Sequence, residues 1–358
     1  MEEILAKFKI VGTPVEVKPL GSGLINDTYL VRTAGDAAPD YVLQRINNAI
    51  FTDVELLQHN IEAVTRHLRS KLAGCADVDR RVLRFIATSD GKTFCRDDAG
   101  SYWRLSVFIP RATTHQTVDA EHSYQAGRAF GNFEAELVDI PDSLGETIPD
   151  FHNMELRIAQ LRDAVKRNAA GRLAEVQHMV DAIEAHAAEM CLAEQMYREG
   201  RLPKRICHCD TKVNNMMFDD DGRVLCVIDL DTVMPSFVFS DYGDFLRTAA
   251  NAVAEDSPEV DKVEFRRDIF EAFTRGYIES ARGFLTPTEI ELLPFAVTLF
   301  PYMQCVRFLT DYINGDTYYK IAYPTHNLAR ARNQWRLFER TMELRPYMSR
   351  FIAGCIGQ

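Results

Sequence analysis

Alternation of apolar and polar residues predicts that the first third of the chain is mainly extended. Short runs with apolar residues at every second position, separated by turn-forming residues, are typical of strands. The predicted strands are Val15–Pro19, Thr28–Arg32, Tyr41–Ile46, Val82–Ala87 and Ser101–Ile109. The segment Thr52–Ser70 predicts an amphipathic helix whose apolar stripe is Leu57, Ile61, Val64 and Leu68. Its first four residues, Thr52–Glu55, predict a capping box.

The rest of the chain is predicted to be mainly helical. Pro110 ends the fifth strand, and helical spacing then runs from Asp119 to Glu199, with breaks at 148–153 and near Gly171. Further helices are predicted at Val260–Ala281, Thr286–Asn314 and Asn327–Leu344, and a β-hairpin at Met216–Phe218 and Val224–Ile228. The pattern predicts an α+β chain, with strands mainly in residues 1–109 and helices mainly in residues 110–358.

The polar loop before the hairpin carries the residue types that phosphoryl transfer needs. It reads His208-x-Asp210-x-Lys212-x-x-Asn215, and Asp229 follows at the end of the second hairpin strand. A carboxylate must orient the attacking hydroxyl, and a cation must lie near the transferred group. We expect Asp210 to be the base and Lys212 the cation. Asn215 and Asp229 are the expected Mg²⁺ ligands, because Mg²⁺ prefers oxygen ligands.

This loop resembles the catalytic loop of protein kinases and of the aminoglycoside phosphotransferase and choline kinase superfamily. Cys209 stands where the small-molecule branch usually has Gly. The segments HCDTKVNN, VIDLDTVMP, DYGDFLR and RFLTDYINGDTYYKIAY look like the N-acetylhexosamine 1-kinase group, and the likeness extends from about Gly21 to Asn333. The resemblance implies a bilobal protein-kinase-like fold, with a small antiparallel-sheet lobe, 1–109, and a larger, mainly helical lobe, 110–358. It also implies ATP and Mg²⁺ as cofactors, and phosphorylation of the anomeric hydroxyl of an N-acetylhexosamine such as GlcNAc or GalNAc.

The turn between the first two predicted strands contains two glycines around a serine. Such a turn exposes backbone N–H groups and suits a phosphate cradle, although it also suits an ordinary hairpin. The resemblance makes it the nucleotide loop. The residues expected to contact nucleotide there are Gly21, Ser22, Gly23 and Asn26, and Ile25 is expected to face the sugar, as Asn26 also could.

The third predicted strand, Tyr41–Ile46, occupies the place of the kinase strand that carries a lysine, but it has none. Arg45 is the available cation and is either a partner of the nucleotide phosphates or a surface residue. Glu62 on the following helix is the candidate partner of Arg45. Phe108 lies in the expected hinge, where backbone groups would bind adenine.

Three acidic residues after the hairpin have two interpretations each. Asp231 lies two residues beyond Asp229, so it is either a second metal ligand or a cap. Asp241 and Asp244 open a predicted helix, whose dipole stabilises acids in its first turn. The resemblance makes one of these two a brace for the catalytic loop.

Arg307 lies on a mostly apolar predicted helix, one turn before Asp311. A buried guanidinium is costly without a partner. A salt bridge to Asp311 at i+4 is one explanation. In the sugar-kinase interpretation, Arg307 instead hydrogen-bonds the acceptor sugar and Tyr318 adds a ring face.

Composition narrows the expected partners. The net charge of 41 − 52 = −11 argues against nucleic acid, and Mg²⁺ would supply the local positive charge for ATP. No run approaches the ~18 apolar residues of a membrane span, and the N-terminus has no cleavable apolar core. The eight cysteines form no C-x-x-C pair. We therefore expect reduced thiols in the cytoplasm, while the oligomeric state stays open.

Other functions remain alternatives. A kinase for choline, homoserine or an aminoglycoside would use the same fold, but choline favours an aromatic cage and aminoglycosides an acidic wall, so Arg307 argues against both. A non-catalytic nucleotide-binding scaffold would be expected to lack Asp210 or Asp229, and both are present. A metal site on Cys207, His208 and Cys209 is disfavoured, because such closely spaced ligands on one strand cannot close a tetrahedron.

Overall fold

The computed structural model describes residues 1–21, 25–35, 37–115 and 117–357. The chain divides into two compact units. The first comprises Met1–Thr114, Asp139–Pro149 and Met216–Met234, and the second comprises His115–Val138, Asp150–Asn215 and Pro235–Gln358. The first break lies close to the predicted boundary at 109–110. The first unit also contains two later segments, because the chain returns to it twice. Local sequence patterns do not encode such returns.

The described elements alternate between the two units. The α-helices are α1 (Glu2–Leu5), α2 (Val54–Lys71), α3 (Val78–Arg81), α4 (Ala120–Leu137), α5 (Met154–Arg167), α6 (Leu173–Met190), α7 (Leu192–Arg198), α8 (Phe239–Ala249), α9 (Arg267–Ala281), α10 (Pro287–Glu291), α11 (Leu293–Asn314) and α12 (His326–Ile356). The strands are β1 (Thr13–Pro19), β2 (Asp27–Ala34), β3 (Tyr41–Ile46), β4 (Phe94–Arg96), β5 (Tyr102–Val107), β6 (Arg205–Cys207), β7 (Met216–Phe218), β8 (Val224–Val227) and β9 (Met234–Ser236). Short 3₁₀ turns lie at Val213–Asn215, Leu230–Thr232 and Val260–Lys262.

The first unit is built on a five-stranded antiparallel sheet in the order β1-β2-β3-β5-β4. Alternate side chains of a strand point to opposite faces, so one face of this sheet can be apolar. The buried cluster that packs with it is Ile4, Leu5, Phe8, Val31, Tyr41, Leu43, Trp103 and Leu105. With the helical second unit, this sheet confirms the predicted α+β class.

Two local predictions for the first unit are wrong. The segment 82–87 is not a strand, because it touches β5 only through an isolated bridge between Phe85 and Ser106 and two flanking backbone hydrogen bonds. The strand beside β5 is β4, which sequence analysis missed because it is short and half-buried. The cap of α2 is Asp53, whose carboxylate accepts from Leu56 N, so the predicted capping box starting at Thr52 is absent.

Glycines allow the helices of the second unit to pack closely. A Cβ at Gly127 of α4 would lie 2.1 Å from Phe273 O of α9, and one at Gly276 of α9 would lie 2.2 Å from Tyr124 O of α4. In the same way, a Cβ at Gly243 of α8 would lie 2.5 Å from the Ala296 carbonyl oxygen of α11. Backbone-to-backbone contact therefore fixes the spacing of these helices, and α8 is buried over most of its length.

The predicted helix boundaries in the second unit agree with the structure at one capped start and differ at other ends. Thr286 forms a capping box with Glu289 and starts α10, as predicted. The predicted helix then breaks at Leu292 before α11. The last helix was predicted to end at Leu344 but continues through Pro346 to Ile356. In the part of the chain that the structure describes, no helix has the length and apolarity needed to cross a bilayer.

We predict that Gly127→Ala destabilises the protein because the added methyl group overlaps the α9 backbone, which cannot move without displacing the helix. Overpacking of this kind costs about 1–3 kcal/mol or more of unfolding free energy. Chemical denaturation measures it. Gly283→Ala is the matched control, since a Cβ at Gly283 meets no atom within 4 Å. Equal stability of the two variants would contradict the packing described for α4 and α9.

Candidate active site

The predicted catalytic loop follows β6 in the second unit and is held by one carboxylate. Asp241, in the first turn of α8, accepts hydrogen bonds from the backbone nitrogens of His208 (2.8 Å) and Cys209 (2.7 Å). The Thr211 hydroxyl donates to the Asp241 carbonyl oxygen at 2.8 Å. Of the two acids considered as braces, Asp241 makes these contacts. The loop backbone is therefore fixed to a buried helix.

Cys209 has a left-handed backbone conformation, with φ of 63°. This region is rare for residues other than glycine and costs of order 1 kcal/mol or more, so the surrounding structure must impose it. The hydrogen bond to Asp241 and complete burial of Cys209 provide that constraint. The strain explains on physical grounds why glycine suits this position.

Asp241 belongs to a buried acid–thiol cluster with Glu134 and Cys207. Burial raises the pKa of Asp241 to about 6, although the His208 charge and the two backbone hydrogen bonds act in the opposite direction. Burial, followed by the Asp241 charge, raises the pKa of Glu134 well above its usual value. Glu134 accepts from Cys207 Sγ at 3.5 Å and from the Tyr277 hydroxyl. A metal ion here would have to displace these bonds, so we interpret the cluster as a hydrogen-bonded support.

The predicted base and its neighbours lie together at the end of this loop. Lys212 Nζ is 2.9 Å from Asp210 Oδ2. Asn215 Nδ2 donates to the Asp210 carbonyl oxygen at 2.7 Å and to Oδ2 at 3.1 Å. These contacts fix the carboxylate of Asp210, which remains partly exposed. They use only the nitrogen of the Asn215 amide, so its oxygen fits the predicted role of a metal ligand.

Asp244, the other acid considered as a brace, pairs with an arginine on its own helix. Arg247 Nε lies 2.8 Å from Asp244 Oδ1, and Arg247 also pairs with Glu255. Burial raises the pKa of Asp244, and the Arg247 charge opposes this, whereas the charge of Asp210 adds to it. Asp244 is thus a buried counter-ion that is electrostatically coupled to the predicted base.

Asp229 lies in the first unit, at the end of the hairpin, and its side chain is exposed. Its backbone is left-handed, with φ of 60°, which aspartate tolerates better than most residues. The 3₁₀ turn Leu230–Thr232 follows at once. An exposed carboxylate on a defined turn fits the predicted role of Mg²⁺ ligand.

Asp231 in that turn has a buried environment that neither sequence interpretation anticipated. Arg104 Nη1 lies 2.5 Å from Asp231 Oδ1, an ion pair by distance although the N–H is not aligned as a hydrogen bond. Asn26 Nδ2 donates to Asp231 Oδ2 at 2.7 Å, and the Thr147 hydroxyl donates to its carbonyl oxygen at 2.8 Å. The carboxylate is therefore engaged within the first unit.

The suggested ion pair of Arg45 with Glu62 is absent. Arg45 Nε donates to Asp27 Oδ2 at 2.7 Å on the exposed side of β3. Glu62 accepts from the Thr93 hydroxyl. Strand alternation explains the difference, since Gln44, next to Arg45, points to the opposite face and accepts from Arg104 Nε at 3.0 Å. A nucleotide contact by Arg45 stays a prediction.

The predicted nucleotide loop is only partly within the described residues. Ser22 and Gly23 lie outside them. Gly21 has a φ of 72° and is exposed, as a tight turn requires. Asn26 is buried and uses its amide for Asp231 and for Asn47 N, which donates to its oxygen at 2.9 Å. A nucleotide or sugar contact by Asn26 would compete with these bonds.

Two further predicted contacts can be placed. Ile25 is exposed, as a ligand-facing side chain would be, and its carbonyl oxygen accepts from Asn47 Nδ2 at 3.3 Å. The backbone N–H of Phe108 donates to the Asp40 carbonyl oxygen at 2.9 Å. That donor is already used, so an adenine contact at Phe108 would have to use its carbonyl oxygen.

The Arg307 guanidinium lies among aromatic rings in the second unit. It is 5.4 Å from the centre of the Phe151 ring and 5.7 Å from that of Tyr319, and Nη1 donates to Gln304 Oε1 at 2.7 Å. The salt bridge to Asp311 is absent. The Asp311 carboxylate instead accepts from the backbone nitrogens of the 317–319 turn and from Asn327. The structural alternative that was considered for Arg307 is therefore wrong.

A second arginine, Arg157 of α5, lies close to Arg307. Burial, followed by the Arg307 charge, lowers the pKa of Arg157 to about 10. Arg157 donates to the carbonyl oxygens of Asp150 (3.1 Å) and Phe151 (2.6 Å), while its Nε is buried without a hydrogen bond. Across the residues that the structure describes, the hydrogen bonds of the two guanidinia go to carbonyl and amide oxygens, and neither forms a salt bridge with a carboxylate. Sequence analysis missed Arg157 because a charged residue in an amphipathic helix usually faces solvent.

His152 connects this arginine pair to the helix that holds the catalytic loop. Its ring stacks on Phe151 at 4.3 Å, and its Nδ1 lies 2.9 Å from the Ser240 hydroxyl of α8. Burial lowers the pKa of His152 well below its usual value, and the charges of the neighbouring arginines, first Arg307 and then Arg157, lower it further. His152 thus lies between the Phe151 ring, which contacts Arg307, and α8, which holds the catalytic loop.

Tyr318, the predicted ring face, is 65% exposed and packs edge-on against Tyr319 at 4.8 Å. Tyr319 is the ring beside Arg307, and burial raises its pKa. A ring as exposed as that of Tyr318 is accessible to a ligand. A contact of Tyr318 with the sugar stays a prediction.

Several solved structures have a similar fold. An aminoglycoside phosphotransferase from Alicyclobacillus acidocaldarius matches with a TM-score of 0.64 at 14% identity, over 99% of this chain and 96% of that one. The amicoumacin kinase hAmiN, in complex with AMP-PNP, Ca²⁺ and Ami, matches with a TM-score of 0.60 at 12% identity, over 93% of this chain and 91% of that one. The choline kinase LicA from Streptococcus pneumoniae matches with a TM-score of 0.51 at 14% identity, over 91% and 94%.

These likenesses confirm the predicted protein-kinase-like fold and do not identify an acceptor. The match of the sequence to a protein family is more specific than these structural likenesses. Residues 16–283 match the model of the phosphotransferase enzyme family. This match spans the sheet of the first unit, the catalytic loop and α8. The chain therefore belongs to the phosphotransferase enzyme family.

Proposed function

We propose that this protein is an ATP- and Mg²⁺-dependent kinase that phosphorylates the anomeric hydroxyl of an N-acetylhexosamine. Family membership supports the phosphotransfer. The amicoumacin kinase structure holds AMP-PNP and Ca²⁺, which supports a nucleoside triphosphate with a divalent cation as the donor. The resemblance of the segments around the catalytic loop and Arg307 to sugar 1-kinases supports the acceptor.

The observation that carries the acceptor proposal is the pair of guanidinia, Arg157 and Arg307. Two half-buried, neighbouring cations without a salt bridge among the described residues favour a ligand that offers hydrogen-bond acceptors. A sugar with an N-acetyl group offers a carbonyl oxygen, a ring oxygen and hydroxyl oxygens. Choline or an aminoglycoside would bring further positive charge to the same place. The exposed ring of Tyr318 adds an apolar surface on which a sugar ring can pack.

In the proposed reaction, the anomeric oxygen attacks the γ-phosphorus of ATP. A bond forms between this oxygen and the phosphorus, the bond to the β–γ bridging oxygen breaks, and ADP leaves. Asp210 accepts the hydroxyl proton, and Lys212 lies where it can offset the charge of the transferred group. Asn215 fixes the Asp210 carboxylate through its amide nitrogen. Positioning and charge compensation supply most of the rate in this chemistry.

The oxygen atoms of Asn215 and Asp229 would hold Mg²⁺. When bound, this ion neutralises charge on the phosphate oxygens of the nucleotide. Asn215 also contacts the base, so one residue would align the base with the metal-bound nucleotide.

The guanidinium pair also supports a second candidate acceptor, a sugar or hydroxy acid that carries a carboxylate. Arginine binds carboxylates in a bidentate manner, and two neighbouring arginines would favour a full negative charge. The family permits such an acceptor, because its chemistry requires only a hydroxyl group as the nucleophile.

An ADP-release assay over a small panel of acceptors tests the proposal. The panel comprises GlcNAc, GalNAc, the corresponding non-acetylated sugars, a uronic acid, choline, homoserine and an aminoglycoside. We expect an N-acetylhexosamine to give the highest kcat/KM and a product that no longer reduces copper, since its anomeric position is blocked. Preference for the uronic acid would support the second candidate. Preference for choline or an aminoglycoside would overturn both.

We predict that Asp210→Asn lowers turnover about 10²–10⁴-fold, the usual contribution of a positioned base. Nucleotide binding should change little, because the amide keeps the size of the carboxylate. Steady-state kinetics and ADP titration measure the two effects. Asp220→Asn, in the exposed hairpin turn, is the control and should resemble the wild type. A turnover within threefold of wild type for Asp210→Asn would exclude the base role.

We predict that Arg307→Ala lowers kcat/KM for the sugar about 10- to 150-fold, because a hydrogen bond to a charged group contributes roughly 1.5–3 kcal/mol. The KM for ATP and the Tm should change little, since the variant breaks no salt bridge. Sugar kinetics and thermal unfolding on one preparation measure both.

Arg275→Ala is the control for removal of a stacked arginine. Arg275 lies over the Phe351 ring at 5.3 Å and also pairs with Glu271. The Arg275→Ala variant should leave the sugar kinetics unaffected, and any effect should be confined to the Tm. If Arg307→Ala behaved like Arg275→Ala, Arg307 would be a packing residue and the acceptor site would lie elsewhere.

A further inference from the structure

Arg104 is a buried charge on the sheet of the first unit. Its side chain is only 3% exposed, although it lies on β5, between β3 and β4. Nε donates to Gln44 Oε1 at 3.0 Å, and the guanidinium lies 5.6 Å from the centre of the Phe85 ring. Such a group is costly to desolvate, and its retention calls for a charged partner.

The charged partner is Asp231, which is 4% exposed and lies two residues after Asp229. This pair joins three parts of the first unit. Arg104 belongs to the sheet, and Asp231 belongs to the turn that follows Asp229. Asn26, at the end of the glycine turn, donates to the second Asp231 oxygen at 2.7 Å.

The helix α2 completes the same network. Asn60 is fully buried, and its Nδ2 donates to Val233 O at 2.9 Å and to Gly145 O at 2.8 Å. Val233 directly follows the turn that contains Asp231. Two contacts therefore hold the turn after Asp229. One is the ion pair of Asp231 with Arg104 on the sheet, and the other is the hydrogen bond from the neutral amide of Asn60 on α2. Only the former interaction can be removed by neutralising one carboxylate.

We propose that the Arg104–Asp231 pair positions Asp229 for the metal-bound nucleotide. In protein kinases a lysine on the third strand pairs with a glutamate on the neighbouring helix. Here β3 has no lysine, Arg45 lies on the exposed side, and Glu62 bonds to Thr93. Arg104 and Asp231 take the place of the kinase lysine–glutamate pair, since they are buried charges that join the sheet to the proposed metal-binding turn. They are positioning residues, since they act through Asp229.

The inference rests only on the nucleotide-binding half of the proposed function, so its test needs no acceptor. Wild-type and variant proteins are titrated calorimetrically with ADP, once with Mg²⁺ and once with EDTA. We expect Asp231→Asn to weaken Mg²⁺-dependent ADP binding about 10- to 100-fold, the usual effect of losing a residue that orients a metal ligand. Binding in EDTA should change much less. Asp229→Ala should show the same pattern, and combining it with Asp231→Asn should add little.

A double variant separates positioning from stability. Asp231→Asn alone leaves a buried guanidinium unpaired and should lower the Tm, whereas adding Arg104→Met removes that charge and should restore much of it. We expect the double variant to remain defective in Mg²⁺-dependent binding. Hydrogen exchange should show faster exchange of the 229–233 amides in both variants. Trp103→Phe, which removes a hydrogen bond to Asp97 from the adjacent position of β5, is the control and should lower only the Tm.

Recovery of Mg²⁺-dependent binding in the double variant would overturn the inference and make the pair purely structural. The same conclusion would follow if Trp103→Phe lost as much Mg²⁺-dependent affinity as Asp231→Asn. Wild-type protein that binds ADP equally with Mg²⁺ and EDTA would contradict the proposed function itself. Failure of the sugar assignment would appear only in the acceptor panel.

Discussion

The hydrogen bonds from the His208 and Cys209 nitrogens to Asp241 are the constraint on which the candidate active site depends. They hold Cys209 in a strained conformation and so set the direction in which the chain enters Asp210. Asp241 can do this because α8 is buried and closely packed against α11 at Gly243. A carboxylate on a flexible element could not impose the same strain.

The fold was largely predictable because its elements have strong periodic signals. The strands β1, β2, β3 and β5 and the capped start of α10 were placed correctly. The errors have physical causes. The segment 82–87 has the composition of a strand, yet it forms only isolated hydrogen bonds with β5. The short strand β4 instead pairs with β5 in a regular antiparallel ladder. Partner choice of this kind depends on tertiary contacts, which a local pattern does not contain.

The candidate site was predictable only where residue type and spacing carry the chemistry. The spacing of Asp210, Lys212 and Asn215 predicted a cluster that the structure shows. The pairings of Arg104 and Arg157 were not predictable, because the partner of a buried charge lies far along the sequence. The sequence did contain one signal for Arg104, because a charged residue there interrupts an apolar strand. Strand alternation could likewise have shown that Arg45 and Gln44 point to opposite faces.

The distribution of charge gives these observations a common physical basis. The protein has a net charge of −11, yet Arg157 and Arg307 lie together without a carboxylate partner in the described chain. Three nearby acids are bonded to other groups: Asp150 accepts from Asn153 Nδ2, Asp311 is bonded to the 317–319 turn, and Glu255 is paired with Arg247. Because these carboxylates are bonded to other groups, the guanidinium groups of Arg157 and Arg307 remain available to a ligand. This arrangement favours an acceptor rich in oxygen atoms and disfavours a cation, independently of the catalytic loop.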